Sequence, residues 1–275
     1  MKCCKELLSN PARRHFLICT GISTSMFLLD PLGKAGLSAS SEQENYYLSN
    51  SERFMADFEK TKGRANLYLN SRYGDQAAHE ICKKARSEFN HLLGGLPYIG
   101  GDKHPGTKWI LLAGHWVAFM RPMKESGYST EESARMMYDL YVESLSKKSK
   151  EKMEKRGEFM FTEKYIGIMK NWTHKSKNQR GDWVADFIPG DGNSFDYGID
   201  YQYCPCFEYF LSQEAKEIAP YFCLVDFPEH KIMGTGLVRT KTLAQGDDVC
   251  NFRYKKGRAV TQGWATEASK FNRKS

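Results

Sequence analysis

The chain has 275 residues, of which 41% are hydrophobic and 27% charged, and its formal net charge is +7. This length is enough for one large domain or two small ones, and the composition excludes disordered, collagen-like and coiled-coil proteins. No apolar run reaches the roughly 18–20 residues that a membrane-spanning helix needs. A stable membrane span is therefore not expected.

Residues 1–40 have the order of an export leader. Arg13 and Arg14 follow two lysines and precede a mildly apolar stretch, residues 16–29, after which small residues follow. A basic start, a short apolar middle and a small-residue end are the parts of a secretory signal, and paired arginines are typical of twin-arginine leaders. We expect the twin-arginine machinery to export the protein to the periplasm or another extracytoplasmic compartment. The alternative is an amphipathic N-terminal helix on a cytoplasmic protein.

The leader also changes what the charge implies. Residues 1–39 carry a net +3 of the formal +7, so the rest of the chain has only +4. Its most basic segment, residues 147–156, mixes both signs at helical spacing, which is typical of a solvated helix face. No nucleic-acid-binding motif accompanies it, so nucleic acid is not an expected partner.

Residues 41–180 are predicted to be mainly helical. Apolar residues recur at spacings of three and four over Glu42–Leu69 and Gln76–Leu93, and Trp109–Met120 is apolar on all sides, as in a buried core helix. Four apolar side chains are predicted to face inward from the first segment: Tyr47, Phe54, Phe58 and Leu67. A capping box at Ser129 and Glu132 begins a further helix. The histidines lack the spacing of a metal site and are interpreted as surface or packing residues: His79, His91, His104 and His115.

Residues 181–275 are predicted to contain both helices and strands. Trp183–Ile188 is followed by a dense turn signal and then by an alternation of apolar and polar residues over Phe195–Tyr201, which predicts a β-hairpin. If the alternation continues, Cys204 lies on the same side as Asp196 and Asp200.

A helix and a second hairpin are predicted further along. The helix covers Phe207–Ile218, and Leu237–Leu243 pairs with Val249–Tyr254, which places Cys250 on one face with Phe252. The fold class is therefore α+β: a helical N-terminal half packed on a small antiparallel sheet built from two hairpins, with residues 41–275 as a single domain.

Cysteines indicate where chemistry is concentrated. Outside the leader, which holds Cys3, Cys4 and Cys19, five remain, an odd number that leaves at least one thiol unpaired, metal-bound or reactive in an exported protein. The candidate set is Cys204, Cys206, Cys223, Asp226, His230, Arg239 and Cys250, with Cys82 apart in the helical half. Thiols become nucleophilic where a cation, a helix N-terminus or a metal lowers their pKa. Inert buried cysteines or a disulfide are equally compatible with the pattern.

Several segments of this half form an ordered set of motifs: Trp183–Gly192, Phe195–Tyr201, Cys204, Tyr221–Asp226, Arg239–Ala244 and Gly246–Tyr254. In this order they resemble the L-2-amino-thiazoline-4-carboxylic acid hydrolase family over about residues 181–256, with weaker similarity in the helices before this range. Asn251 stands where the resemblance predicts aspartate, and Cys206 is additional to the pattern. The closing Gly-Asp-x-x-Cys-x-Phe segment is also similar to the end of vinyl-reductase-type ligand-binding domains.

The resemblance implies hydrolysis of a cyclic isothiourea, which opens a small carboxylated heterocycle at the carbon between sulfur and nitrogen. Either Cys204 or Cys223 attacks this carbon, or Asp226 activates water while the cysteines shape the pocket. Arg239 is expected to bind the substrate carboxylate through its planar fork, although a surface strand arginine fits the alternation equally well. The predicted catalytic residues are Cys204, Cys223, Asp226 and Cys250, and the predicted substrate-binding residues are Arg239, Asp200 and Trp183.

No cofactor is expected, but zinc is an alternative, because Cys204, Cys223, Cys250 and Asp226 are a chemically acceptable tetrahedral set. Two other functions stay open. One is a non-catalytic small-molecule-binding or sensor domain, and the other is a redox protein whose second-half cysteines exchange disulfides. Export also favours an organosulfur substrate outside the cell over cysteine salvage within it.

Overall fold

A computed structural model describes residues 46–178 and 181–273, so the predicted leader lies outside the described residues. The helical part ends and the sheet begins near residue 181, as predicted. The helices before this point are α1 (Ser51–Tyr73), α2 (Asp75–Leu92), α3 (Thr107–Glu125), α4 (Thr130–Ser146), α5 (Lys150–Phe159) and α6 (Glu163–Ser176).

The first predicted helix differs in its bounds and in one inward residue. The chain turns at Asn50, and α1 then continues to Tyr73. Its buried stripe consists of Phe54, Phe58, Thr61, Ala65 and Leu69, whereas Leu67 is 71% exposed. The inward prediction for Leu67 was wrong because that residue lies off the stripe that the spacing of three and four defines.

Helix α3 is the centre of the helical part, as its uniformly apolar sequence predicted. Nearly the whole run from Ala113 to Met120 is buried. The ring of Phe58 stacks on Phe89 at 4.6 Å and on Phe119 at 5.4 Å, which joins α1, α2 and α3. Such offset aromatic contacts add to the area buried and fix the relative positions of the three helices.

The capping box predicted at Ser129 is present and begins α4. It stabilises the helix because the Ser129 hydroxyl and the Glu132 carboxylate each satisfy a backbone N–H that has no intrahelical partner. Helix α5 follows with most of its charged side chains exposed, which confirms the solvated face expected for this basic segment. No helix in the described part of the chain is long and apolar enough to cross a membrane.

The second part is built on a four-stranded antiparallel sheet with the order β1-β2-β4-β3. Its strands are β1 (Val184–Pro189), β2 (Tyr197–Tyr203), β3 (Val238–Arg239) and β4 (Cys250–Tyr254), and the helices among and after them are α7 (Pro205–Ser212), α8 (Ala219–Phe222), α9 (Asp226–Met233) and α10 (Trp264–Glu267). Both predicted hairpin pairings are confirmed, and Tyr201 lies opposite Cys250 in the β2–β4 register.

One face of the sheet is apolar and lies against helices. Tyr197 and Ile199 are buried on it, and Tyr201 contacts Trp172 of α6 with ring centroids 6.1 Å apart. The alternate positions of β2 carry Asp200, which pairs with Arg253 of β4. This division into faces is the one that the alternation predicted.

Two element lengths were wrong. The predicted helix Phe207–Ile218 is α7, which ends at Ser212, because Glu214 takes a left-handed conformation with φ of 53°. Strand β3 has two residues instead of seven, since Thr242 caps a 3₁₀ turn over Leu243–Gln245 and ends the extended chain. Local capping therefore shortened both elements.

Gly157 of α5 tests the packing between α5 and α9. A Cβ at this position would lie well inside contact distance of the Met233 carbonyl oxygen, whereas nothing lies within 4 Å of a Cβ at Gly167 of α6. Gly157→Ala is expected to destabilise the protein by about 1–3 kcal/mol through overpacking. Gly167→Ala is expected to stabilise it by about 0.5–1 kcal/mol, because alanine favours helix. Thermal unfolding followed by circular dichroism measures both, and equal shifts of the two variants would contradict the contact.

Candidate active site

Cys204 lies where β2 ends and α7 begins. Its backbone is extended, with φ of −132° and ψ of 112°, and Pro205 occupies the first helical turn. Proline is favourable there because the first N–H groups of a helix have no intrahelical partner. The strand therefore stops at Tyr203, and the expectation that Cys204 continues the alternation with Asp196 and Asp200 was wrong. Its side chain instead lies at the start of α7.

The surroundings of Cys204 favour its thiolate. Its pKa is lowered, first by the thiol of Cys206 and then by the backbone N–H groups of Phe207 and Cys206 and the side chain of Trp183, although burial opposes this. Thiols at helix N-termini lose their proton more easily because the N–H groups stabilise the anion. Cys204 also remains partly exposed, whereas Cys206 is buried.

The other two second-half thiols are less acidic. Burial raises the pKa of Cys223 well above its usual range, and Arg239 only partly offsets this. Burial also raises the pKa of Cys250 to about 11, and its sulfur accepts the N–H of Leu243 at 3.3 Å. All five cysteines in the described part of the chain are free thiols: Cys82, Cys204, Cys206, Cys223 and Cys250.

A buried ion pair joins β3 to α9. Arg239 Nη1 lies 2.5 Å from Asp226 Oδ2, and Nη2 donates to the carbonyl oxygen of Cys223 at 2.9 Å. The guanidinium carbon lies 5.0 Å from the ring centre of Phe227 and 5.1 Å from that of Phe252. Two aromatic faces and two oxygen acceptors thus hold the cation.

Arg239 is therefore not the surface arginine that alternation alone allowed. Its side chain is only 3% exposed. Of its three guanidinium nitrogens, Nε is the one without a hydrogen-bond partner. To bind a substrate carboxylate with two of its nitrogens, as predicted, Arg239 would have to release its present contacts with Asp226 and Cys223.

Asp226 can exchange a proton near neutral pH. Burial raises its pKa to about 6, against the opposing effect of Arg239, and the nearby Glu229 also acts to raise it. The carboxyl group nevertheless keeps 25% of its side-chain surface exposed.

These groups form one electrostatic cluster. The charge of Arg239 acts on Cys223 and Cys250, and the sulfur of Cys204 acts on both of those thiols. Tyr201 lies in the same cluster. Burial is the main cause that raises its pKa, and Asp226, Cys204 and Cys250 raise it further. Cys204 and Asp226 thus each act on Cys223 and Cys250, which links the four predicted catalytic residues. In residues 46–178 and 181–273, no three His, Cys, Asp or Glu side chains form a group that could hold a metal ion.

Of the predicted substrate-binding residues, Trp183 lies beside the cluster and Asp200 does not. Trp183 lies beside Cys204 and stacks on His104, with ring centroids 6.2 Å apart. His104 in turn pairs with Asp182 at 3.0 Å, so it is a packing residue as expected. Asp200 lies on the other side of β2 from Tyr201 and binds Arg253 at 2.5 and 3.2 Å, so the structure does not bring it to the cluster.

His230 is not a free base in this arrangement. Its Nδ1 lies 2.8 Å from the Thr235 hydroxyl, and burial lowers its pKa to about 4, so the ring is neutral at physiological pH. It lies next to Tyr254 rather than beside the thiols.

The family model for L-2-amino-thiazoline-4-carboxylic acid hydrolase matches residues 110–254, just over half of the chain. The chain belongs to this family. No curated protein and no solved structure matches it. The matched range contains all the residues of the cluster and also the helices α4, α5 and α6, so family membership extends beyond the half in which the sequence motifs were recognised.

The two departures from the family pattern have structural explanations. Cys206 places its thiol against Cys204, as described above. Asn251 accepts the N–H groups of Thr240 and Lys241 at 2.9 and 2.7 Å and donates to the Thr240 hydroxyl at 2.9 Å. An aspartate could accept the same two bonds but could not donate the third.

Sequence reasoning missed Tyr201, Tyr141 and Glu229. Tyr201 was assigned only to the aromatic core face of β2, although that face leads to the thiols. Glu229 follows Asp226 by three residues on one helix, a spacing that places both carboxylates on one face. This spacing was the available signal for the second carboxylate.

Cys204 is expected to react with iodoacetamide at lower pH and faster than Cys250, because it combines partial exposure with a lowered pKa. Alkylation over a pH series followed by peptide mass spectrometry gives the rate at each cysteine. Cys82, whose pKa burial raises to about 11, is the matched slow control. A Cys204 rate equal to that of Cys82 would contradict the assignment.

Asp226 is expected to make stability depend on pH. A carboxyl whose pKa is raised in the folded state binds its proton more tightly there, so its stabilisation is present below about pH 4 and is lost as pH rises through about 6. Relative to Asp226→Asn, the wild type should therefore lose up to about 3 kcal/mol of unfolding free energy between pH 4 and 7. Urea unfolding of both proteins at several pH values measures this difference, and a pH-independent difference would show the pKa is not raised.

Proposed function

We propose that this protein is a cysteine-dependent hydrolase that opens a five-membered cyclic isothiourea carrying a carboxylate, such as 2-amino-thiazoline-4-carboxylate. The observation that carries the proposal is Cys204, a partly exposed thiol with a lowered pKa in the same cluster as Asp226 and Arg239. Membership of the hydrolase family supports the reaction class.

The substrate class follows from what this cluster can attack. The ring carbon of such a compound is bonded to one sulfur and two nitrogens and is electron-poor. The ring sulfur leaves as a thiolate, which is a better leaving group than an amide nitrogen. A thiolate nucleophile and a carboxyl group that exchanges protons near pH 6 are the two groups that this opening needs.

In the first step, the Cys204 thiolate attacks the ring carbon. The bond from this carbon to the ring sulfur breaks, and Asp226 in its acid form gives a proton to the departing sulfur. The product of this step is an isothiourea covalently bound to Cys204, with the rest of the substrate still attached. Asp226 is now a carboxylate paired with Arg239, which lowers the cost of the buried charge.

In the second step, water attacks the same carbon. One proton of the water goes to Asp226 and the other to the isothiourea nitrogen, and the bond to Cys204 breaks. The carbon keeps the water oxygen as a urea carbonyl, the thiolate of Cys204 is restored, and Asp226 is again protonated. One water is consumed and one thiol is released per turnover.

A direct mechanism is the second candidate. The raised pKa of Asp226 suits a general base that activates water without a covalent intermediate, with Cys204 and Cys223 polarising the ring. Mass spectrometry of enzyme quenched during turnover separates the two mechanisms. The covalent route adds the whole substrate mass to Cys204, because ring opening expels no fragment, whereas the direct route leaves the enzyme mass unchanged.

Cys204→Ser and Asp226→Asn are each expected to lower kcat by about 10²–10⁴-fold, because each removes a group that acts on the reacting carbon. Release of free thiol from 2-amino-thiazoline-4-carboxylate measures the reaction. Cys82→Ala, which changes a thiol of the helical part far along the chain, is the matched control and is expected to keep full activity.

The outcomes also separate the remaining functions. Tight binding of the compound without thiol release would contradict the hydrolase and support a sensor or binding domain. Disulfide exchange at Cys204 and Cys206 without hydrolysis would contradict the hydrolase and support a redox protein. Full activity of both Cys204→Ser and Asp226→Asn would refute the site.

We further propose that the reaction takes place outside the cytoplasm, because residues 1–40 have the order of a twin-arginine leader. Residues 1–41 fused to a folded fluorescent reporter are expected to export it. Replacing both Arg13 and Arg14 with lysine is expected to stop export, and continued export of that variant would refute the twin-arginine route.

A further inference from the structure

Glu229 is a second buried carboxylate on the helix that carries Asp226. It is three residues further along α9, and residues at this spacing lie on one face, about 5–6 Å apart at Cβ. Glu229 is only 4% exposed. A carboxylate this deeply buried needs partners to stay ionised.

Three helices of the preceding part supply these partners. Tyr141 of α4 donates its hydroxyl to Glu229 Oε2 at 3.0 Å, and Arg156 of α5 places Nη1 3.0 Å from Oε1. Burial acts to raise the pKa of Glu229, but the charges of Lys108 and Arg156, together with the bond from Tyr141 and the nearby His230, outweigh it and lower the pKa. Glu229 is therefore held as an anion.

The field of this anion reaches Asp226. Glu229 is among the charges that raise the pKa of Asp226, and both carboxylates act on Tyr141, whose own pKa is raised mainly by burial. The other charged or titratable groups around Asp226 come from several elements: Arg239 of β3, Tyr201 of β2, Cys250 and Tyr254 of β4, Cys206 of α7, and Cys223 just before α9. Arg239 is the one cation among them, and Glu229 opposes it.

We propose that Glu229 is a positioning residue, whose charge, held by Tyr141 and Arg156, keeps Asp226 able to take up and release a proton near neutral pH beside Arg239. Without Glu229, the Arg239 cation would be less opposed, and the pKa of Asp226 would lie further below neutral pH. The catalytic consequence rests on the proposed function, whereas the effect of Glu229 on Asp226 does not.

Direct titration of Asp226 tests the effect without substrate. The full-length protein is labelled with ¹³C at aspartate carboxyl groups, and the Asp226 signal is assigned by its loss in Asp226→Asn. In Glu229→Gln, the midpoint of this signal is expected to fall by about half to one pH unit, because a neighbouring negative charge is removed. Because Asp226 must be protonated for the proposed first step, the alkaline limb of kcat/KM that this group sets is expected to move in the same direction.

Two further variants keep the result interpretable. Arg156→Gln removes a cation that keeps Glu229 ionised, so the Asp226 midpoint is expected to fall, in the same direction as in Glu229→Gln. Glu229→Asp retains the charge and is expected to keep the midpoint near the wild-type value. An unchanged midpoint in both Glu229→Gln and Arg156→Gln would overturn the proposal, and so would a rise in Glu229→Gln. Inactivity of the wild type toward the thiazoline, with the midpoint shifts present, would refute the function and leave the role of Glu229 intact.

Discussion

The ion pair between Arg239 and Asp226 is the contact on which the second half of the chain depends. It is buried, and it joins β3 to α9. Through the carbonyl of Cys223 it also fixes the segment before α9, and the side chain of Gln262 holds the Arg239 backbone from both sides, accepting its N–H at 2.9 Å and donating to its carbonyl at 2.7 Å. Strand β3 is short, and these contacts rather than a long ladder keep it in the sheet.

The fold was predictable where local periodicity decides structure. The apolar run that became α3, the capping box at Ser129 and the alternation over β2 each depend on neighbours within a few residues, and all three predictions are confirmed. Leu67 was misplaced because it was grouped with the apolar positions of the segment, although it lies off the stripe that Phe54, Phe58 and Leu69 share.

The candidate site was predictable as a set of residues but not as an arrangement. Cys204 leaves the strand at Pro205, and this single step separates it from Asp200 and places it at a helix start. The partners of Glu229 lie on helices about seventy to ninety residues earlier in the chain, as the contacts from Tyr141 and Arg156 show. No spacing within the second half contains that information, since such contacts exist only after the two parts of the chain have packed together.

Gly157 gives the exposed helix α5 a role in packing that its charged composition does not indicate. Because residue 157 has no side chain, the backbone of α5 rests directly on the last turn of α9, the helix that carries Asp226 and Glu229. The distance between α5 and α9 is therefore set by contact between their backbones. A backbone, unlike a side chain, cannot change rotamer to make more room. The charged side chains of α5 are exposed, and Arg156 among them binds Glu229, whereas the inner side of α5 has no room for a side chain at residue 157. Helix α5 therefore fixes the position of α9, the helix whose two carboxylates are proposed to take part in proton transfer.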